Sequence, residues 1–243
     1  MGTTLGFIGS GLIGGTLARL ATTAGIDVVL SNSRGPETLA GLVADLGGHA
    51  RAATGEEAAR ADLVVVSVPL TACRHLPADA LAGRVVIDTT NYYPQRDGRF
   101  PELDSDEVTS SELLQRTLPG ATVVKAFNNV FHHQLHTLAR PPGSPDRSAL
   151  PIAGDDEAAK KAVSGLMDAL GYDAVDTGAL STSWRSEPNT PVYVMPYFGA
   201  MPTDLPGEEL MAWMAKADGA SIPTTQVEAL VASAARGPAG GRF

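Results

Sequence analysis

Six short apolar runs punctuate the chain: Leu5 to Ile8, Val28 to Ser31, Leu63 to Val68, Arg84 to Asp88, Thr122 to Ala126 and Leu150 to Ala153. The stretches between them repeat their apolar residues at helical spacing. Within the runs the apolar character is nearly unbroken, as in Leu63-Val64-Val65-Val66, instead of alternating with polar residues. Strands of that kind are buried on both faces, so the pattern predicts parallel strands covered by helices on either side. The expected fold is α/β: a doubly wound parallel sheet of the Rossmann type over residues 1–180, then a short carboxyl-terminal helical and irregular appendage over 181–243.

Helix punctuation supports these boundaries. Pro36 suits a first turn, Thr54 with Glu57 and Thr109 with Glu112 read as capping boxes, and Gly25, Gly47 and Gly171 fall just past helix ends. Two segments break the rhythm. Tyr92 to Glu107 follows a strand and is rich in Pro, Asp, Gly and aromatic residues; this places it at the carboxyl edge of the sheet, where ligands bind in such folds, although a surface loop of no function would have the same composition. Beyond Leu180 come Trp184, Tyr193, Met195, Tyr197, Phe198 and Trp213, with amphipathic helices expected near Glu208 to Ala217 and Thr225 to Ala235. The helix-spaced stripe Leu210, Trp213, Met214 and Ala217 suits core packing or a homodimer seam.

Composition narrows the partners. Of 243 residues 44% are hydrophobic and 19% charged, a globular balance with a formal charge of -9 and no cluster of Lys or Arg. Nucleic acid and anionic membranes are therefore not expected, and a small molecule is. Cys73 is the single cysteine, which excludes an intrachain disulfide or a multi-cysteine metal cage. With no apolar run approaching a membrane span and no basic leader at the start, a cytoplasmic location is expected.

The chemistry begins at Gly9-Ser10-Gly11-Leu12-Ile13-Gly14, directly after a strand and opening a helix. Gly9 permits the tight turn, Gly11 lets the backbone approach a pyrophosphate, and Gly14 lets helix and strand pack closely. The exposed N–H groups and positive dipole end at the helix start would hold the anion. At the end of the second strand, where NAD-specific enzymes place a carboxylate, this chain has Ser31-Asn32-Ser33-Arg34. Hydroxyls, an amide and a guanidinium suit a 2′-phosphate, so NADP(H) is the expected dinucleotide. Asp27 begins that strand instead of ending it, and Glu37 belongs to the following helical turn.

Further strand ends supply the reacting end. Val68, Pro69 and Leu70 close the strand that begins at Leu63; Asp88-Thr89-Thr90-Asn91 ends the one from Arg84; and Lys125-Ala126-Phe127-Asn128 ends the one from Thr122. Asn91, Lys125 and Asn128 are the candidate catalytic groups, and Ala126 and Phe127 join the cofactor-binding set, although turn chemistry alone would also explain these residues. His132 and His136 share a helix face, but no acidic residue accompanies them and no metal is expected.

Taken in order over residues 5 to 180, Gly6 to Gly14, Asn32-Ser33-Arg34-Gly35, Ser67-Val68-Pro69-Leu70, Lys125-Ala126-Phe127-Asn128 and Leu150-Pro151-Ile152-Ala153-Gly154-Asp155-Asp156 give the chain its likeness. It resembles the NADPH-dependent coenzyme F-420 reductases, also called F-420-dependent NADP oxidoreductases. The resemblance implies hydride transfer between nicotinamide C4 and deazaflavin C5, with Gly9 to Gly14 on the pyrophosphate, Ser33 and Arg34 on the 2′-phosphate, and Val68, Pro69 and Ala126 to Asn128 at the reacting end. It does not extend to residues 181–243 or to the Tyr92 to Glu107 loop, so the acceptor stays open. An NADPH-dependent reductase of a carbonyl or imine metabolite, with Lys125, Asn91 or a tyrosine of the long loop as proton donor, and an NADP(H)-sensing protein without turnover are the alternatives.

Overall fold

The computed structural model describes residues 2–200, 202 and 204–241. At its centre lies one eight-stranded sheet: β1 (Thr4–Ile8), β2 (Asp27–Ser31), β3 (Ala50–Ala52), β4 (Leu63–Val66), β5 (Val85–Asp88), β6 (Thr122–Lys125), β7 (Ala149–Gly154) and β8 (Asp173–Asp176). Their spatial order is β3-β2-β1-β4-β5-β6-β7-β8, with β1 to β6 mutually parallel. Connections leave β1 in one direction and β4 in the other, so a crevice opens at the carboxyl ends of these two strands.

The two-sided burial read from the sequence is met residue by residue. In β4, Leu63 and Val65 join a core containing Leu5, Phe7 and Leu17, whereas Val64 and Val66 join a second core with Leu81 and Leu114 on the opposite face. Burying each such side chain stabilises the fold by about 1.5–3 kcal/mol. Both capping boxes form, and Gly25, Gly47 and Gly171 adopt φ of 76°, 78° and 98° at helix ends.

Three features depart from the sequence reading. β3 and β8 are additional edge strands, whose Ala-Arg-Ala and Asp-Ala-Val-Asp are too short and too polar to show as apolar runs. The sheet is also not wholly parallel. β7 runs against β6, with Lys125 opposite Ala153 and Val124 opposite Gly154, while β8 is parallel to β7. The intervening helix, His132–Thr137, has six residues and a rise of about 9 Å, too short to carry the chain back across the sheet for a parallel return.

The appendage is not a separate unit. Val192, Tyr197, Ile222, Val227 and Val231 belong to the same core as Leu5 and Phe7, and the Ala149 amide donates to the Ile222 carbonyl at 2.8 Å. Its helices are Gly207–Met214 and Thr224–Ala232, and Met214 alone of the expected stripe is buried. Among the described residues no helix is long and apolar enough to cross a membrane.

Candidate functional site

The turn after β1 is shaped by its glycines. Gly9 sits at φ 102°, and a Cβ there would lie 2.2 Å from the Ser67 carbonyl oxygen; a Cβ on Gly14 would lie 2.2 Å from the Gly9 carbonyl oxygen. These two positions bring the start of helix Leu12–Thr23 against β4. Gly11 differs, since a Cβ added there would meet only open space, and no side chain caps the helix start. The result is a bare patch of backbone N–H groups at a positive dipole end, suited to a phosphate. The Ser31 carbonyl fixes the turn by accepting from the Gly9 amide at 3.0 Å and the Ser10 hydroxyl at 2.9 Å.

Past the end of β2, Asn32 organises a compact turn. Its Oδ1 accepts the Arg34 amide at 2.9 Å and its Nδ2 donates to Thr38 Oγ1 at 2.9 Å. Ser33 and Arg34 project into solvent from this turn. Asp27 lies at the far end of β2, 2.8 Å from His49, and takes no part.

Between these turns and the carboxyl-terminal segment runs an open cleft of about 380 Å³. Gly11, Leu12, Ile13, Val68 and Pro69 line it from the side of the glycine turn, and Asn91, Phe127 and Asn128 from the ends of β5 and β6. Asn91 and Asn128 brace each other: Asn128 Nδ2 donates to Asn91 Oδ1 at 3.1 Å, and Asn91 Nδ2 donates to the Asn128 carbonyl at 2.9 Å. Phe127 and Val194, both in the cleft wall, hold φ of 59° and 57°, left-handed backbone that costs side-chain-bearing residues on the order of 1–3 kcal/mol each. Such strain persists only where surrounding structure enforces it, here in part by the Val194 amide donating to the Asn129 carbonyl at 2.8 Å.

Three expected site residues lie elsewhere. Lys125 is wholly buried, its Nζ donating to the Thr90 carbonyl at 2.5 Å, to Ser110 Oγ at 3.0 Å and to Asp88 Oδ2 at 3.3 Å. It braces the cleft from behind, and its ammonium does not reach the cleft, so a proton-donor role for it is set aside. Leu70 turns away from the cleft toward Cys73 and Leu113, because the chain enters a tight helical turn at Leu70–His75. Ala126 is fully buried, its amide donating to the Asp88 carbonyl at 3.1 Å to extend the ladder.

The cleft also contains residues that motif reading did not single out. Tyr193 and Phe131 line it, with the half-buried His132 ring 4.5 Å from that of Phe131. Burial, and then the neighbouring His133, hold the His132 imidazole below its ordinary range. Tyr93 also lies there, covered by the Arg96 guanidinium 4.9 Å from its ring. The unusual composition of the Tyr92 to Glu107 loop hinted at Tyr93 and the aromatic content beyond Leu180 at Tyr193; His132 drew notice only as a metal candidate, and no sequence signal pointed to Phe131.

Residues 4–92 match the model of the family described as NADP oxidoreductase, coenzyme F420-dependent. The chain is 32% identical over 186 residues to the metalloreductase STEAP3 of Rattus norvegicus, a match covering 75% of this chain and 35% of the rat protein. It is 31% identical over 146 residues to the F420-dependent NADP reductase of Methanocaldococcus jannaschii, covering 57% of this chain and 63% of that protein. The chain thus spans about a third of one curated relative and less than two thirds of the other. Among solved structures, a hypothetical protein from Sinorhizobium meliloti superposes with a TM-score of 0.67 at 30% identity, over 80% of this chain and 94% of that one. The family match falls on residues 4–92, which hold β1 to β5 and the glycine turn, and over this segment the chain is similar to the F420-dependent NADP oxidoreductases.

Proposed function

We propose that the protein is an NADP(H)-dependent oxidoreductase that transfers hydride between NADPH and a deazaflavin acceptor of the coenzyme F420 type. The observation that carries this reading is the pairing of a bare, glycine-lined helix start with an exposed Arg34, and no carboxylate, at the end of β2. The residues present fit the dinucleotide: open space over Gly11 admits a pyrophosphate, and the Asn32 turn presents Ser33 and Arg34 to a 2′-phosphate. Val68, Pro69, Phe127 and Asn128 would flank the nicotinamide, whose C4 supplies the hydride when bound. Such a transfer asks the protein for orientation and exclusion of water more than for an acid or base. Asn91 and Asn128, locked to each other, orient the reacting end, and Leu12, Phe131 and Met211 give the cleft an apolar side against which a flat ring can lie. The family description and the name of the archaeal relative support the acceptor.

The test is direct. Protein mixed with NADPH and oxidised coenzyme F420 should bleach the visible band of the deazaflavin, whereas an unchanged band would overturn the acceptor assignment. The polar groups around Asn91 favour a second reading, reduction of a carbonyl or imine metabolite, in which NADPH would be consumed with such compounds and not with F420. Tight NADP(H) binding with no acceptor of either kind would point to a sensing protein. A homodimer and a cytoplasmic location complete the proposal, the first checked by light scattering of the purified protein and the second by cell fractionation.

A further inference from the structure

The polar end of the cleft is built by two segments outside the dinucleotide-binding motifs. Tyr93, in the loop after β5, and Tyr193, 100 residues further on, are hydrogen-bonded to each other through their hydroxyls, and both line the cleft. Asn91 Nδ2 donates to Tyr193 Oη at 3.4 Å. The Arg96 guanidinium that covers the Tyr93 ring is paired at 2.8 Å with the fully buried Asp97 carboxylate. Burial pushes both phenols above their ordinary range, so the pair stays protonated and neutral.

The far side of this pair is stapled by the carboxyl-terminal tail. Asn189 Nδ2 donates to the Gly240 carbonyl at 2.7 Å, and the Gly241 amide donates to the Tyr92 carbonyl at 2.9 Å. A Cβ on Gly241 would lie 2.6 Å from the Tyr93 ring and 2.7 Å from Pro188, so the tail passes in backbone contact with both tyrosine-bearing segments. Phenylalanine at each position would fill the same space without the desolvation cost of a hydroxyl. The two hydroxyls, brought together at the cleft by segments so distant in sequence, therefore point to a ligand.

We propose that the Tyr93 and Tyr193 hydroxyl pair is the hydrogen-bonding anchor that positions the second substrate. Of the two phenol protons one closes the bond between the hydroxyls and the other is the proton the anchor gives, so the anchor recognises a hydrogen-bond acceptor, such as a carbonyl oxygen or ring nitrogen at the edge of a flat molecule. The body of that molecule would cover Leu12 and Met211, which are 68% and 50% exposed at the same cleft. This inference rests on the proposed function, which makes the cleft the meeting place of NADPH and acceptor.

The test uses the full chain carrying Tyr93→Phe, Tyr193→Phe or both. Calorimetry with NADP⁺ and with 2′,5′-ADP reports the dinucleotide site, and fluorescence titration of coenzyme F420 into NADP⁺-loaded protein reports the anchor. Each single variant should keep both dinucleotide affinities but weaken the F420 Kd and raise its KM about 3–10-fold, with a smaller change in kcat. The double variant should be no weaker than the weaker single one, because the hydroxyls act as a unit. Single variants whose F420 Kd and KM stay at the wild-type values overturn the anchor, and so does a parallel loss of NADP⁺ affinity, which would mark the pair as scaffolding. Wild-type protein that holds NADP⁺ but neither binds nor reduces F420 overturns the acceptor assignment and the anchor with it, an outcome distinguishable because it needs no variant.

Discussion

Lys125 and Asp88 are register partners on adjacent strands and meet side chain to side chain at 3.3 Å, both shielded from solvent. The pair is the hub of a buried network: Ser111 Oγ donates to Asp88 Oδ2 at 2.6 Å, Asp88 Oδ1 accepts the Thr90 amide at 2.8 Å, and Ser110 passes from Lys125 to Glu187 with a 2.6 Å bond. Removing one charge leaves the other uncompensated in a low-dielectric interior. Lys125→Met should therefore cost about 3–5 kcal/mol of folding stability, seen in urea as a lower midpoint with an unchanged slope. A variant as stable as wild type would show that the network is not holding the strand ends.

Arg34 is exposed on a turn whose backbone Asn32 fixes, so truncating it should leave the fold intact. Loss of a charge-assisted contact with the 2′-phosphate should weaken NADPH binding by about 10–100-fold and leave NADH binding as it was. Equal losses for the two dinucleotides would refute the assignment of NADP(H).

The glycines of the turn should separate folding from binding. Gly9→Ala combines positive φ with a 2.2 Å approach to the Ser67 carbonyl oxygen, and a lowered melting temperature is expected. Gly11→Ala meets no protein atom, so it should melt with the wild type yet bind NADP⁺ poorly, because its methyl group occupies the space the pyrophosphate needs. Calorimetry on both variants, with thermal melts alongside, checks the contrast.

His132 gives the site a pH dependence. Its folded-state pKa is lowered, so the unfolded chain takes up a proton that the folded one resists. Its contribution to stability is then fully present above the unfolded value of about 6.5 and is lost as the pH falls through the folded one. His132→Gln should flatten the rise of the urea midpoint across that interval; an unaltered profile would assign the dependence to other groups.

Much of this was legible in the residues themselves. Continuous apolar runs announced buried strands, and glycine spacing announced a tight turn with a bare helix start, because both depend on local rules of sheet burial and backbone geometry. Lys125 shows where that reading stops. A lysine at a strand end looks the same in sequence whether it faces a cleft or a carboxylate, and the partners that decide, Asp88 and Ser110, lie 37 and 15 residues away. Edge strands β3 and β8 escaped notice for a related reason: half-exposed and three or four residues long, they carry almost no apolar signature. Tyr193 belongs to a segment whose place is set by long-range packing against β7, which no local pattern encodes.

The reversal of β7 has an architectural outcome. Lys125, the last residue of β6, faces Ala153, so the four residues preceding Ala153 continue past the end of the parallel strands by about 13 Å. That overhang forms a parapet on which the Tyr197 hydroxyl docks, through the Ala149 carbonyl at 3.0 Å, and against which Ile222 is tied. The Tyr193 side of the cleft thus leans on β7, whereas the glycine turn, the proposed dinucleotide grip, stands on β1. Such a layout lets the partner-facing half be remodelled, by mutation or by design, while the nucleotide grip stays as it is.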